Sequence, residues 1–177
     1  MQSGINLFFP YIKYLLSAKT KHGLHSPFVY KLYTEAILKK EAPLFFKSIE
    51  DQRKKLLKDN SVLEIQDLGA GSTSGLMQRR LVKEIAKHSL KNKKYAQLIY
   101  NLVEYFKPTT ILEFGTSLGI TTSYMAKAQA EAAVLSMEGG DTIAEVAKKN
   151  INDLGIKNAE VVTGSFDEKI NYCIEKL

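Results

Sequence analysis

The sequence has a single cysteine, Cys173, and no tryptophan among its 177 residues. One thiol excludes an internal disulfide and any metal site built from several cysteines, and we assign no metal ligands. A reducing, cytoplasmic location is therefore expected. The missing tryptophan excludes no class of function.

The sequence also lacks an apolar run long enough to cross a membrane. Its most apolar segment, INLFFPYIKYLL at residues 5–16, contains Pro10 and Lys13 and is shorter than the roughly 20 residues that a membrane helix needs. A basic start and a small-residue cleavage site, as in a signal peptide, are both missing. We expect an amphipathic segment that packs on the rest of the protein, and no membrane partner.

Positive charge is in excess, with a formal net charge of +6 and lysine-dense stretches at 39–40, 47–58 and 79–94. This balance permits contact with nucleic acid or another anionic partner. Solvated helix faces explain scattered lysines more simply, so a nucleic-acid partner is the less favoured interpretation.

The pattern along the chain changes after Pro108. Apolar residues recur at helical spacing within 5–58 and 86–105, so residues 1–108 are predicted to be an α-helical N-terminal extension. From Thr109, three apolar strands (109–114, 133–138 and 159–164) alternate with helical segments. Short βα units in succession predict an α/β domain at 109–177 with a parallel sheet.

Two glycine-rich stretches compete for the role of ligand loop: QDLGAGSTSG at 66–75 and ILEFGTSLG at 111–119. In a doubly wound fold the loop follows a strand, opens a helix, and is followed by a second strand that ends in an acid. Only the second stretch meets this requirement, because Glu138 ends the next strand 19 residues beyond Gly119 (138 − 119). The second loop is therefore the predicted binding loop.

The residue types in this region suit a particular ligand. Glycines let the backbone approach a ligand, and a helix start offers free N–H groups, although glycines and acids at strand ends also occur without any ligand. The interior Thr116-Ser117-Leu118 departs from the G-x-G-x-x-G of dinucleotide loops. Glu113 suits a ligand with an ammonium group and Glu138 a ribose diol, and S-adenosylmethionine carries both.

Three segments resemble the first three motifs of class I S-adenosylmethionine-dependent methyltransferases: ILEFGTSLGITTSYMA, LSMEGGDTIAEVAKKNI and AEVVTGSFDE. The chain is most similar to bacterial O-methyltransferase-like members that have a helical N-terminal extension with HGLHSPF-like and DLGAGS-like elements. The resemblance spans the whole chain and implies a Rossmann-like three-layer sandwich with strands in the order 3-2-1. It also implies S-adenosylmethionine as cofactor and a small-molecule methyl acceptor.

Carried over by position, the resemblance implies a set of cofactor-binding residues. Glu113 would face the ammonium group, Thr121 the carboxylate and Glu138 the ribose hydroxyls. The loop and the third strand end would complete the site through Gly115, Thr116, Ser117 and Gly119, and through Gly164, Ser165 and Phe166 beside the adenine. No catalytic base is assigned; His22 and His25 are the only candidates.

The resemblance further implies that the second half of the fold, with the acceptor side, is missing from this chain. We therefore expect an incomplete enzyme without turnover of its own, and an uncovered first strand that favours a homo-oligomer. Two alternatives stay open: a non-catalytic fragment that binds a cofactor or a partner, and an RNA methyltransferase that uses the basic extension.

Overall fold

A computed structural model of the protein describes residues 8–18, 23, 25–66 and 77–177. Contacts along the chain divide it into two compact units, Met1–Lys39 and Lys40–Leu177. His22 and residues 67–76, which include most of the first glycine-rich stretch, lie outside the described residues.

The described part of the first unit is mainly helical. Helix α1 spans Phe8–Ser17, and α2 spans Pro27–Lys31 and continues as a π-helical segment, Leu32–Ile37. Ser26 caps α2 by accepting a hydrogen bond from the Val29 amide at 3.4 Å, and Pro27 occupies the first turn, where its missing N–H costs nothing. Ser26 and Pro27 are thus typical residues for a helix start. None of the helices described is long and apolar enough to span a bilayer.

The second unit begins with helices and a hairpin. Helix α3 spans Phe46–Leu56; strands β1 (Val62–Gln66) and β2 (Met77–Leu81) pair antiparallel; α4 spans Val82–Ser89 and α5 spans Lys93–Phe106. The extension is therefore not purely helical, and the helical region predicted at 86–105 is interrupted at residues 90–92. Asn92 restarts the helix, because its Oδ1 accepts a hydrogen bond from the Tyr95 amide at 3.1 Å.

The predicted parallel sheet is present. Strands β3 (Thr110–Phe114), β4 (Ala133–Glu138) and β5 (Ala159–Thr163) are parallel in the order β3-β4-β5. The helices that follow them are α6 (Ile120–Ala128), α7 (Asp141–Asp153) and α8 (Phe166–Lys176). Buried residues of α6 and α7 pack on one face of the sheet, and Cys173 of α8 packs on the other. Three layers result, as predicted.

One hydrophobic core joins residues on both sides of Pro108. Phe46 of α3 packs its ring against Tyr100 of α5, with centroids 4.9 Å apart, and against Tyr124 of α6, at 4.7 Å. Leu118, inside the predicted ligand loop, is fully buried in the same cluster. Helices α3 to α5 therefore form part of the support for this loop.

Candidate functional site

The loop from Gly115 to Gly119 is a tight turn at the carboxyl end of β3. The Gly115 and Thr116 amides both donate to the Met137 carbonyl, at 2.9 and 3.0 Å, and the Gly119 amide donates to the Thr116 carbonyl at 3.0 Å. Both glycines have positive φ, 90° and 79°, and so does Ser117, at 50°. Such a conformation strains a serine, so contacts around Ser117 must hold it.

Glu138 is one of those contacts. Its Oε2 accepts a hydrogen bond from the Ser117 amide at 2.7 Å, and its Oε1 accepts one from the Gly140 amide at 3.1 Å. Each carboxylate oxygen has two lone pairs, so Glu138 retains acceptor capacity for two hydroxyl groups. The residue predicted to hold a ribose therefore also fixes the shape of the loop.

Glu113 lies beside Glu138 on the neighbouring strand. Its Oε2 accepts hydrogen bonds from Thr122 Oγ1 at 2.5 Å and from Ser136 Oγ at 2.6 Å, and Ser136 Oγ lies 2.6 Å from Thr116 Oγ1. Burial raises the pKa of the Glu113 carboxyl, and the negative charge of Glu138 acts in the same direction. The two hydroxyl donors oppose this shift in pKa by stabilising the ionised form.

A cavity of about 270 Å³ adjoins these residues. It is lined by five of the predicted cofactor-binding residues: Glu113, Gly115, Thr116, Ser117 and Thr121. A larger cavity of about 750 Å³ lies where β4 and β5 begin and includes none of them. We favour the smaller cavity as the functional one, because ligands of open α/β sheets bind at the carboxyl ends of the strands.

The remaining predicted residues lie at the same edge of the sheet. Gly119 is the N-cap of α6, and the Gly164 amide donates to the Glu138 carbonyl at 2.9 Å. Ser165 caps α8, and the Phe166 ring, 41% exposed, packs edge-on against Phe114 with centroids 5.5 Å apart. Each of these four residues thus has a local structural role besides the predicted one.

Thr163 is a polar residue at this edge that the sequence did not single out. It pairs in register with Glu138, and its Oγ1 is buried without a hydrogen-bond partner in the part of the chain that the structure describes. A buried hydroxyl without a partner is rare in folded proteins, so Thr163 is a further candidate for the site.

The structure adds other residues that the sequence analysis missed. Thr122 and Ser136 contact Glu113, while Ser89, Lys91 and Ile99 line the cavity from the extension. Ser136 could have been found from the sequence, because it is a polar residue in an otherwise apolar strand, two positions before Glu138. No local signal marks Ser89 or Lys91, because they reach the cavity through long-range packing.

Both candidate bases belong to the first unit. His25 is exposed in the first unit, and His22 lies outside the described residues. Within the described ranges, no group of three or more His, Cys, Asp or Glu side chains could hold a metal ion. The candidate site includes two carboxylates, a glycine loop and hydroxyl groups.

Solved structures share this architecture. An O-methyltransferase from Bacillus cereus in complex with SAH superposes with a TM-score of 0.52 at 16% identity, covering 84% of this chain and 55% of that one. The cofactor-bound Rv0187 from MTB superposes with a TM-score of 0.51 at 15% sequence identity, and the match covers 84% of this chain and 56% of that one. The chain shares the fold of these solved structures over the part that it covers. A Klebsiella pneumoniae protein provisionally described as an O-methyltransferase superposes with a TM-score of 0.50 at 16% sequence identity. The match covers 81% of this chain and 53% of that one.

The likeness to these solved structures is one of fold. The chain spans about half the length of the structures it matches. No family model and no curated protein matches the sequence. The predicted Rossmann-like, methyltransferase-type fold is confirmed, and the roles of individual residues stay predictions.

Proposed function

We propose that the site around Glu113 and Glu138 binds S-adenosylmethionine, and that the protein acts as an O-methyltransferase on a small molecule. One observation carries the proposal. Two carboxylates stand at the carboxyl ends of adjacent parallel strands, on either side of a glycine loop whose Ser117 amide is bound to Glu138. The fold is shared with structures that hold SAH or a cofactor, which supports the choice of ligand.

Each part of the cofactor has a proposed partner. The Glu113 carboxylate would receive the ammonium group, since its Oε1 makes no hydrogen bond in the described structure. Thr121 and the first amides of α6 would receive the carboxylate, Glu138 the ribose diol, and Gly164 to Phe166 the adenine. Lys91, which lines the cavity, adds a positive charge near the amino-acid end.

The chemistry follows from the bound group and its surroundings. When bound, the cofactor supplies an electrophilic methyl group on a sulfonium. The protein's task is to hold an acceptor oxygen in line with that methyl, about 3 Å away, and to accept its proton. Neither the acceptor nor the base is assigned. The RNA alternative stays a prediction, and a steep loss of RNA affinity with salt would support it.

Calorimetry with S-adenosylhomocysteine tests the ribose assignment. We expect Glu138→Gln to weaken binding about tenfold or more, because a hydrogen bond to a charged group contributes about 1.5–3 kcal/mol. Glu145→Gln, an exposed change on α7, is the matched control and leaves the affinity unchanged.

A deoxyribose analogue of the same ligand separates ribose contact from damage to the loop. Wild type should lose affinity for the analogue, whereas Glu138→Gln should bind both ligands about equally. A variant that still discriminates between them as wild type does would show that Glu138 does not contact the ribose. Absence of binding to wild type would overturn the cofactor proposal itself.

A further inference from the structure

One wall of the cavity is formed by the connector, here defined as Ser89–Lys91, which runs from the last residue of α4 towards α5. All three of its residues line the cavity. Ser89 Oγ lies 2.6 Å from Ser117 Oγ, so the connector touches the loop directly. The connector is not helical beyond Ser89, so the Lys91 carbonyl lies outside both helices and is free to accept from a side chain.

Arg53 of α3 supplies that partner. Its Nη1 donates a short hydrogen bond to the Lys91 carbonyl, and its Nε donates to both carboxylate oxygens of Glu50, at 3.0 and 3.1 Å. Glu50 in turn accepts a hydrogen bond from the Tyr124 hydroxyl, at 2.9 Å, on the fully buried side of α6. A continuous polar network thus joins α6, α3 and the connector.

A second contact ties α3 to the loop itself. Gln52 Nε2 donates to Asn150 Oδ1 at 2.6 Å, and Asn150 Nδ2 donates to the Leu118 carbonyl at 2.9 Å. Adjacent residues of α3 are therefore linked to the two walls of the cavity: Arg53 to the connector and Gln52, through Asn150, to the loop.

Fold stability alone is a poor explanation for the Arg53 network. Arg53 is only 8% exposed, and its Nη2 has no hydrogen-bond partner in the described residues. Charged groups buried with incomplete pairing often contribute less than apolar residues of similar volume, and their best-attested use is to fix a geometry. The geometry fixed here is that of the connector.

We propose that Arg53 is a positioning residue, which holds the connector against the glycine loop and so shapes the pocket for the amino-acid end of the cofactor. The inference rests on the proposed function. It gives the extension a role in binding: α3 sets the spacing between the connector and β3. Arg53 itself does not line the cavity and need not touch the cofactor.

Two ligands distinguish positioning from a general loss of folding. S-adenosylhomocysteine has the amino-acid group, and 5′-methylthioadenosine lacks it while keeping the ribose and adenine. We expect Arg53→Lys to weaken binding of the first about tenfold, with less than a twofold change for the second, because one ammonium cannot bridge Glu50 and the Lys91 carbonyl as the guanidinium does. Arg79→Lys, in the exposed hairpin, is the matched control.

Each outcome has a defined meaning. If Arg53→Lys weakens the binding of both ligands equally, or of neither, Arg53 does not position the amino-acid pocket and the inference is wrong. If wild type binds neither ligand, the proposed function fails and the inference fails with it.

If Arg53→Lys does not fold, Tyr124→Phe replaces it, since it removes only one hydrogen bond to Glu50. Tyr124→Phe should weaken the binding of S-adenosylhomocysteine about two- to threefold and leave the binding of 5′-methylthioadenosine unchanged. If the ratio of the two affinities is the same as in wild type, the inference is wrong.

Discussion

Glu113 meets two opposing demands. Burial favours its neutral form, whereas a ligand ammonium requires the ionised form. Thr122 and Ser136 both donate to one oxygen of its carboxylate, which leaves the second oxygen for a ligand. A residue that binds a cation in this way is expected to reduce the stability of the unliganded protein.

We predict that Glu113→Gln stabilises the unliganded protein at neutral pH and weakens cofactor binding. The amide oxygen can accept both hydroxyl hydrogen bonds, and the buried charge is lost. The pKa of Glu113 is raised in the fold, so the folded state binds more protons than the unfolded state above the usual glutamate pKa. Wild-type stability therefore falls as pH rises through the interval between the two pKa values.

Urea unfolding measured between pH 4 and pH 8 tests this pH dependence. The free-energy difference between Glu113→Gln and wild type should grow as pH rises through that interval and then level off. Glu131→Gln, an exposed change, should show no such trend. A Glu113→Gln variant less stable than wild type at pH 7 would contradict the prediction.

At the scale of one element, the loop depends on Gly119 for two reasons. Its φ of 79° strains any residue with a side chain, and an added Cβ would lie 3.2 Å from the Ala147 carbonyl oxygen and from Ile151. Gly155, at the end of α7, has a φ of 64° but nothing within 4 Å of an added Cβ. These two glycines therefore separate backbone strain from crowding.

We predict that Gly119→Ala costs more stability than Gly155→Ala. The left-handed conformation costs about 1–2 kcal/mol in both variants. Overpacking against α7 adds about 1–3 kcal/mol in Gly119→Ala alone. Chemical denaturation of the two variants measures the difference, and equal losses would mean that α7 moves aside without cost.

The elements differ in how well the sequence predicts them. Strands β3 to β5 are short apolar runs followed by helical patterns, and this local signal was sufficient to place them. Their order was implied by the resemblance and is confirmed. Strand β2, by contrast, has the sequence MQRRL, in which Arg79 and Arg80 show no apolar alternation. It is a strand because it pairs with β1, where Glu64 stands opposite Arg79. Pairing of this kind depends on tertiary context, which a local pattern does not contain.

The same division applies to the site. The positions of Glu113 and Glu138 at one edge of the sheet were predictable, because an acid before a glycine loop and an acid at the next strand end follow from the geometry of one βα unit. The connector and Arg53 were not, because helix packing brings them to the loop from far away in the sequence. Local spacing identified the residues on the sheet, and only the fold identifies those on the extension.

For the molecule as a whole, two boundaries lead to different expectations. The sequence pattern places a boundary after residue 108, whereas the contacts place one between Lys39 and Lys40. The cluster around Phe46, Ile49 and Tyr100 lies before the first boundary, and its partners Leu118 and Tyr124 lie after it. Cutting at residue 108 would expose both halves of this cluster to water.

We therefore predict that residues 40–177 unfold cooperatively, and that residues 109–177 do not fold by themselves. The shorter fragment has about 70 residues, a size at which one core rarely provides more than a few kcal/mol, and it would lose the helices that bury Leu118 and Tyr124. Circular dichroism during urea unfolding, with the full chain as reference, tests both fragments. If residues 109–177 unfold cooperatively at the midpoint of the full chain, the boundary belongs after residue 108, and helices α3 to α5 are not needed to support the loop.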